Sequence, residues 1–68
     1  MFQERLKTAR ISNGLTQKAI SEELGIKLKG YQHYEYGFCK PTFEGLIKIC
    51  KLLNISADYL LGLDDKHP

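Results

Sequence analysis

Lys27, Lys29, Gln32, His33 and Lys40 fall within one short stretch of the chain, and the only acid between Gly25 and Phe43 is Glu35. Lysines donate charge-assisted hydrogen bonds, glutamine both donates and accepts, and histidine does either according to its protonation. A set of this kind suits the recognition of an anionic partner whose edges carry acceptors. It does not suit bond breaking: no acid and base stand beside a nucleophile, and no glycine-rich loop is spaced to cradle a phosphate. The reading is therefore of a chain that is not an enzyme. The cysteines Cys39 and Cys50 and the histidines His33 and His67 lack the close C-x-x-C and H-x-x-x-H pairing of zinc modules, so neither a metal nor a cofactor is expected. Cys50 lies in an apolar helical pattern, where a free thiol is commonplace, and no disulfide is expected.

Helices must position this basic stretch. Phe2, Leu6 and Ala9 recur at helical spacing, and Asn13-Gly14 stops that pattern, which predicts a first helix over about 2–13. Thr16 reads as the N-cap of a short second helix whose apolar face is Ala19, Ile20 and Leu24 and which ends at Gly25. A third pattern runs from Lys27 to Tyr36, with Tyr31, Tyr34 and, just past it, Phe38 on the inner side. Leu28, Lys29, Gln32, His33 and Tyr36 point outward. Pro41 precedes Thr42, the N-cap of a fourth helix with Phe43, Leu46, Ile47, Cys50 and Leu53 inward, closed by Asn54. Ser56 caps a short fifth helix through Leu61, and Gly62 ends it.

A chain of 68 residues makes one domain. The expected organisation is an all-α, compact five-helix domain over 1–63 and a polar tail over 64–68. At 43% hydrophobic and 26% charged, the composition is that of a folding globular chain. Its net charge of +2 is unevenly spread: residues 1–40 hold seven Lys or Arg against four Glu, and the remainder holds three against four acids. That polarity is compatible with an anionic partner meeting the first part. No apolar stretch is long enough for a signal peptide or a membrane span, so the cytoplasm is the expected location.

The offsets from Gln17 match a helix-turn-helix unit: Ile20, Leu24, Ile26, Tyr31 and Tyr34 inward, the small Ser21 where the two helices cross, and Gly25 in the turn. With R-L-K-T-A-R at 5–10, G-L-T-Q-K-A-I at 14–20, L-G-I at 24–26, Y-E-Y-G at 34–37, K-P-T at 40–42 and S-A-D-Y-L-L-G at 56–62, the chain resembles the phage repressor and Cro family, also called the xenobiotic-response-element family of bacterial transcription regulators. The resemblance runs from Arg5 to Gly62. It implies sequence-specific binding of double-stranded DNA, with the third helix in the major groove and two copies on a pseudo-palindromic operator, most simply as a repressor. It further implies that Lys27, Leu28, Lys29, Gln32 and His33 face bases or the adjoining backbone. Gln17 would bind a phosphate and buttress the third helix. Lys40 and the amides near Thr42 and Phe43 would grip phosphate, and Arg10 and Glu35 would form a structural ion pair.

Several residues depart from the family pattern. Lys27 cannot cap the third helix, which costs about 1 kcal/mol against a good cap, and Gly30 within it costs about as much again. Tyr31 stands where an aliphatic residue is usual, and Phe38 and Cys39 where a basic stretch is frequent. Tyr36, on the outer side, is placed to reach a phosphate. The fifth helix carries Ala57, Tyr59, Leu60, Leu61 and Leu63, more apolar side chains than one face of a short helix buries. Tyr59, Leu60 and Leu63 are therefore the expected surface of a homodimer on DNA. The rival reading is a protein-interaction module whose DNA surface has decayed; acids on the outer face of the third helix would favour it, and Leu28 to His33 contains none.

Overall fold

Three hydroxyl side chains start helices in the computed structural model of the protein, which describes residues 1–64. Thr16 accepts from the amide of Ala19 at 3.0 Å, Thr42 from Gly45 at 3.1 Å and Ser56 from Tyr59 at 3.1 Å. Each satisfies an amide that the helix itself leaves without a partner. The helices that result are α1 (Phe2–Ser12), α2 (Gln17–Leu24), α3 (Leu28–Tyr36), α4 (Phe43–Leu53) and α5 (Ala57–Leu61). Left-handed residues end four of them: Gly25, Gly37, Asn54 and Gly62. α1 stops at Ser12, one residue before the expected end, with Asn13 turning its side-chain amide onto the carbonyls of Ala9 and Leu53. Of the expected polar tail, 65–68 lies outside the described residues, and so does His67.

α2 packs across α3 and α4, α1 against α3 and α5, and α4 against α5. Their shared core is Phe2, Leu6, Ala9, Ile20, Leu24, Tyr31, Ile49, Leu53, Ile55 and Leu60. Ser21 is buried at the α2–α3 crossing, its hydroxyl returned to the carbonyl of Lys18. No helix among the described residues is long and apolar enough to cross a membrane.

Three inward assignments are corrected: Phe38, Phe43 and Ile47. Phe38 is 74% exposed. Gly37, at φ 82°, ends α3 before Phe38, so helical spacing counted from Tyr31 and Tyr34 no longer sets its direction. In α4 the buried stripe is Ile49 and Leu53 with half-buried Leu46 and Cys50, and Phe43 is 87% exposed. Ile47, also exposed, lies roughly a third of a turn from that stripe. Seven of the eleven α4 residues are apolar, so periodicity alone could not choose the face.

Candidate nucleic-acid interface

The second helix of the helix-turn-helix presents its first turn to solvent. Lys27, at its N-cap, makes no side-chain cap hydrogen bond, and Lys27, Leu28 and Lys29 are all exposed. One turn on, Gln32 and His33 are half-buried. Gln32 donates from Nε2 to the side-chain Oε1 of Gln17, 3.1 Å away, and His33 lies edge-to-face on Phe38 at 5.5 Å. Tyr36 is exposed at the end of the same helix. Lys29 and His33 are one turn apart and share a face, whereas Gln32 is held toward α2.

Beneath that face lies a hydrogen-bonded cluster around Glu35, whose side chain is 1% exposed. Its Oε2 accepts from Arg10 Nε at 2.5 Å and from the Tyr31 hydroxyl, and its Oε1 from Gln17 Nε2 at 3.1 Å and Arg10 Nη2 at 3.3 Å. Arg10 also reaches the carbonyl of Leu15 at 2.8 Å. Burial pushes the Glu35 carboxyl up, but hydrogen bonds from Arg10, Tyr31 and Gln17 outweigh it and hold the group below its ordinary value. The hydrogen bond to Glu35 in turn raises Arg10, against the opposing effect of burial, while burial and then the Glu35 carboxylate raise Tyr31. The expected Arg10 and Glu35 thus meet between α1 and α3. The Tyr31 hydroxyl is the member that sequence reasoning missed; its signal was the i, i+4 spacing of Tyr31 and Glu35.

Gln17 links this cluster to the outer face. One proton of its amide nitrogen is committed to Glu35 and its oxygen to Gln32, which leaves the second N–H proton for another acceptor. Lys40 is exposed, with its ammonium 5.8 Å from the centre of the Phe2 ring. Thr42 and Phe43 lie at the start of α4, where the first amides of a helix lack intrahelical partners. Glu44 stands in the same turn, and its carboxylate opposes an anion there.

The expected dimer surface is corrected at Leu60, which is fully buried in the monomer core. Leu60 is the buried residue of this five-residue helix, filling the core where α5 meets α1 and α4. Tyr59 is half-buried beneath the Arg5 guanidinium, 4.5 Å from its ring centre. Arg5 also donates to the carbonyls of Tyr59 and Asp64, at 2.6 and 2.9 Å, and so clamps the end of α5 to α1; the sequence reading did not foresee this. Leu63 is 76% exposed, and Leu61 is exposed beside it. Cys39 and Cys50 are both free thiols.

The chain is similar to several known proteins. The SPbeta prophage-derived uncharacterized HTH-type transcriptional regulator YonR of Bacillus subtilis is 43% identical over 61 residues, covering 90% of this chain and 56% of YonR. The cryptic phage CTXphi transcriptional repressor RstR of Vibrio cholerae is likewise 43% identical over 61 residues, covering 90% of this chain and 54% of RstR. The chain therefore spans about half the length of these relatives. The P22 c2 repressor, solved in complex with a synthetic operator, superposes with a TM-score of 0.87 at 28% identity, over 94% of this chain and 97% of that one. Residues 3–66 match the family model described as a helix-turn-helix domain, and the chain belongs to that family.

Proposed function

We propose that this chain binds double-stranded DNA sequence-specifically as a regulator of transcription, most simply a repressor, with α3 in the major groove and no catalytic step. The observation that carries this reading is the outer face of α3: Lys27, Leu28 and Lys29 stand exposed at its first turn, with no acid from Leu28 to His33. The solved P22 c2 repressor complex and the name of RstR support it as likenesses. In this reading Lys29 donates to guanine O6 and N7, Leu28 meets a thymine methyl or packs on sugar, and Lys27 and His33 reach bases or the adjoining backbone. Gln32 contributes by holding Gln17 rather than by spanning a base edge. Gln17, Tyr36, Lys40 and the amides at Thr42 and Phe43 meet phosphates. Two copies bind a pseudo-palindromic operator, joined near the end of α5.

The test is a titration of the full chain against duplexes selected from random sequence and against unselected duplex. Binding should weaken with a log–log salt slope of about 0.9 per phosphate contact. Lys29→Ala should lose discrimination at one or two base pairs, about 1–3 kcal/mol each, while keeping its affinity for unselected DNA within a few-fold. Absence of binding to either duplex at low salt would sink the reading.

A further inference from the structure

We infer that Phe38, carried edge-to-face by His33 and Tyr36, docks on the apolar sugar face of the duplex backbone, beside the lysines that meet its phosphates. The inference rests on the DNA-binding reading above. Phe38 is 74% exposed, yet it is not loosely held. Its ring stands 5.5 Å from that of His33 at 72° and 6.3 Å from that of Tyr36 at 77°. Its amide donates to the carbonyl of His33 at 3.0 Å, and the amide of Cys39 reaches the same carbonyl at 3.4 Å. With Gly37 left-handed, this is the hydrogen-bonded close of α3 in which the residue after the turn packs back on the last helical turn. The ring is presented already ordered, so little conformational freedom remains to be lost when something covers it.

Position and charge identify what covers it. His33 follows Lys29 by one turn of α3, so Phe38 extends the line of the outer face rather than turning to another side of the molecule. From Lys27 to Thr42 the exposed side chains with permanent charge are Lys27, Lys29 and Lys40, all cationic, and the only acid, Glu35, is buried in its ion pair. Two copies of this chain meeting through the same surface would bring like charges together. A duplex backbone offers the complement, anionic phosphates separated by the C–H faces of deoxyribose. The lysines match the first and the Phe38 ring matches the second.

An apolar contact releases no counterions, and this separates it from every lysine contact around it. The full chain and its Phe38→Ala, Phe38→Leu and Phe38→Lys variants are titrated with the selected duplex across roughly 50 to 200 mM salt. Phe38→Ala should weaken binding about five- to tenfold by the same factor at every salt, giving a line parallel to that of the wild type. Phe38→Leu should keep most of the affinity, and Phe38→Lys should steepen the slope by about 0.9 per subunit. Thermal melts establish that each variant is folded. Wild-type affinity in a folded Phe38→Ala variant overturns the inference alone, as does a flatter slope or the loss of one subunit from the complex. Failure of the wild type to bind any duplex overturns the DNA-binding reading itself.

Discussion

At the scale of the residue, the costliest feature of the chain is the ionised Glu35 in its interior, which is tolerable only because four donors surround it. Removing one partner leaves the other charge buried and alone, which costs about 3–5 kcal/mol and approaches the whole stability of a domain this small. Arg10→Met and Glu35→Gln should each lower the urea midpoint severely. Arg10→Met combined with Glu35→Met should regain most of the loss, falling short by the acceptor that Tyr31 and Gln17 would miss. Single variants that melt at the wild-type midpoint would show that the pair does not stabilise the fold. The sign of the pH dependence follows from the depressed carboxyl of Glu35. Its folded pKa lies below the unfolded value of about 4.3, so its contribution is complete at neutral pH and is lost as pH falls through and below that value. Midpoints measured from neutrality into acid should drop for the wild type and depend less on pH for Glu35→Gln. The pairing was legible only through the family resemblance, because sequence spacing does not say which faces of α1 and α3 meet. The Tyr31 bond lay within one helix and could have been read directly.

At the scale of the element, α3 is stiffened from beneath rather than by its own sequence. Lys27 supplies no side-chain cap, and Gly30 interrupts a helix whose interior favours residues with a Cβ. A Cβ added at Gly30 would meet nothing within 4 Å, and Gly30 has no positive φ to be strained. Gly30→Ala should therefore raise stability by about 1 kcal/mol, read as a higher midpoint with an unchanged slope in urea. Lys27→Ser should stabilise by about as much through a cap, yet weaken binding to every duplex because it removes a cation from the first turn. A Lys27→Ser variant that gained both stability and affinity would refute a DNA role for Lys27. The ends of the helices were readable because capping is local: Thr16, Thr42, Ser56, Gly25, Asn54 and Gly62 each do what their chemistry favours. The faces were less so. α4 is apolar around most of its circumference, and its burial is decided by α2 and α5, which no periodicity within α4 encodes. Phe38 misled for the opposite reason: an apolar residue after a left-handed glycine belongs to the turn, and the period of α3 had already ended.

At the scale of the whole molecule, a single recognition helix meets only a few base pairs, too little to separate one site from a genome of competitors. Two copies on one face of the duplex place half-sites about one helical turn apart, so the selected operator should be a pseudo-palindrome. The surface proposed to join them is the end of α5, where Leu61 and Leu63 are exposed and Leu61 borders a groove with Phe2, Lys40, Pro41, Phe43 and Leu46. Burial of Leu60 removes it from that surface, and the clamp between Arg5 and the α5 end makes Tyr59 a poor probe, since its loss would disturb the monomer. Leu63→Asp is the cleaner variant: the side chain leaves no cavity, and a carboxylate placed against its own symmetry mate repels. The patch is small, so the free protein should remain largely monomeric at micromolar concentration and pair only when DNA holds two copies together. Native mass spectrometry or sedimentation on the selected operator should give two chains per duplex for the wild type and stepwise, non-cooperative occupancy for Leu63→Asp, with half-site affinity retained. One chain per high-affinity operator would remove the dimer altogether, and undiminished cooperativity in Leu63→Asp would move its surface away from α5.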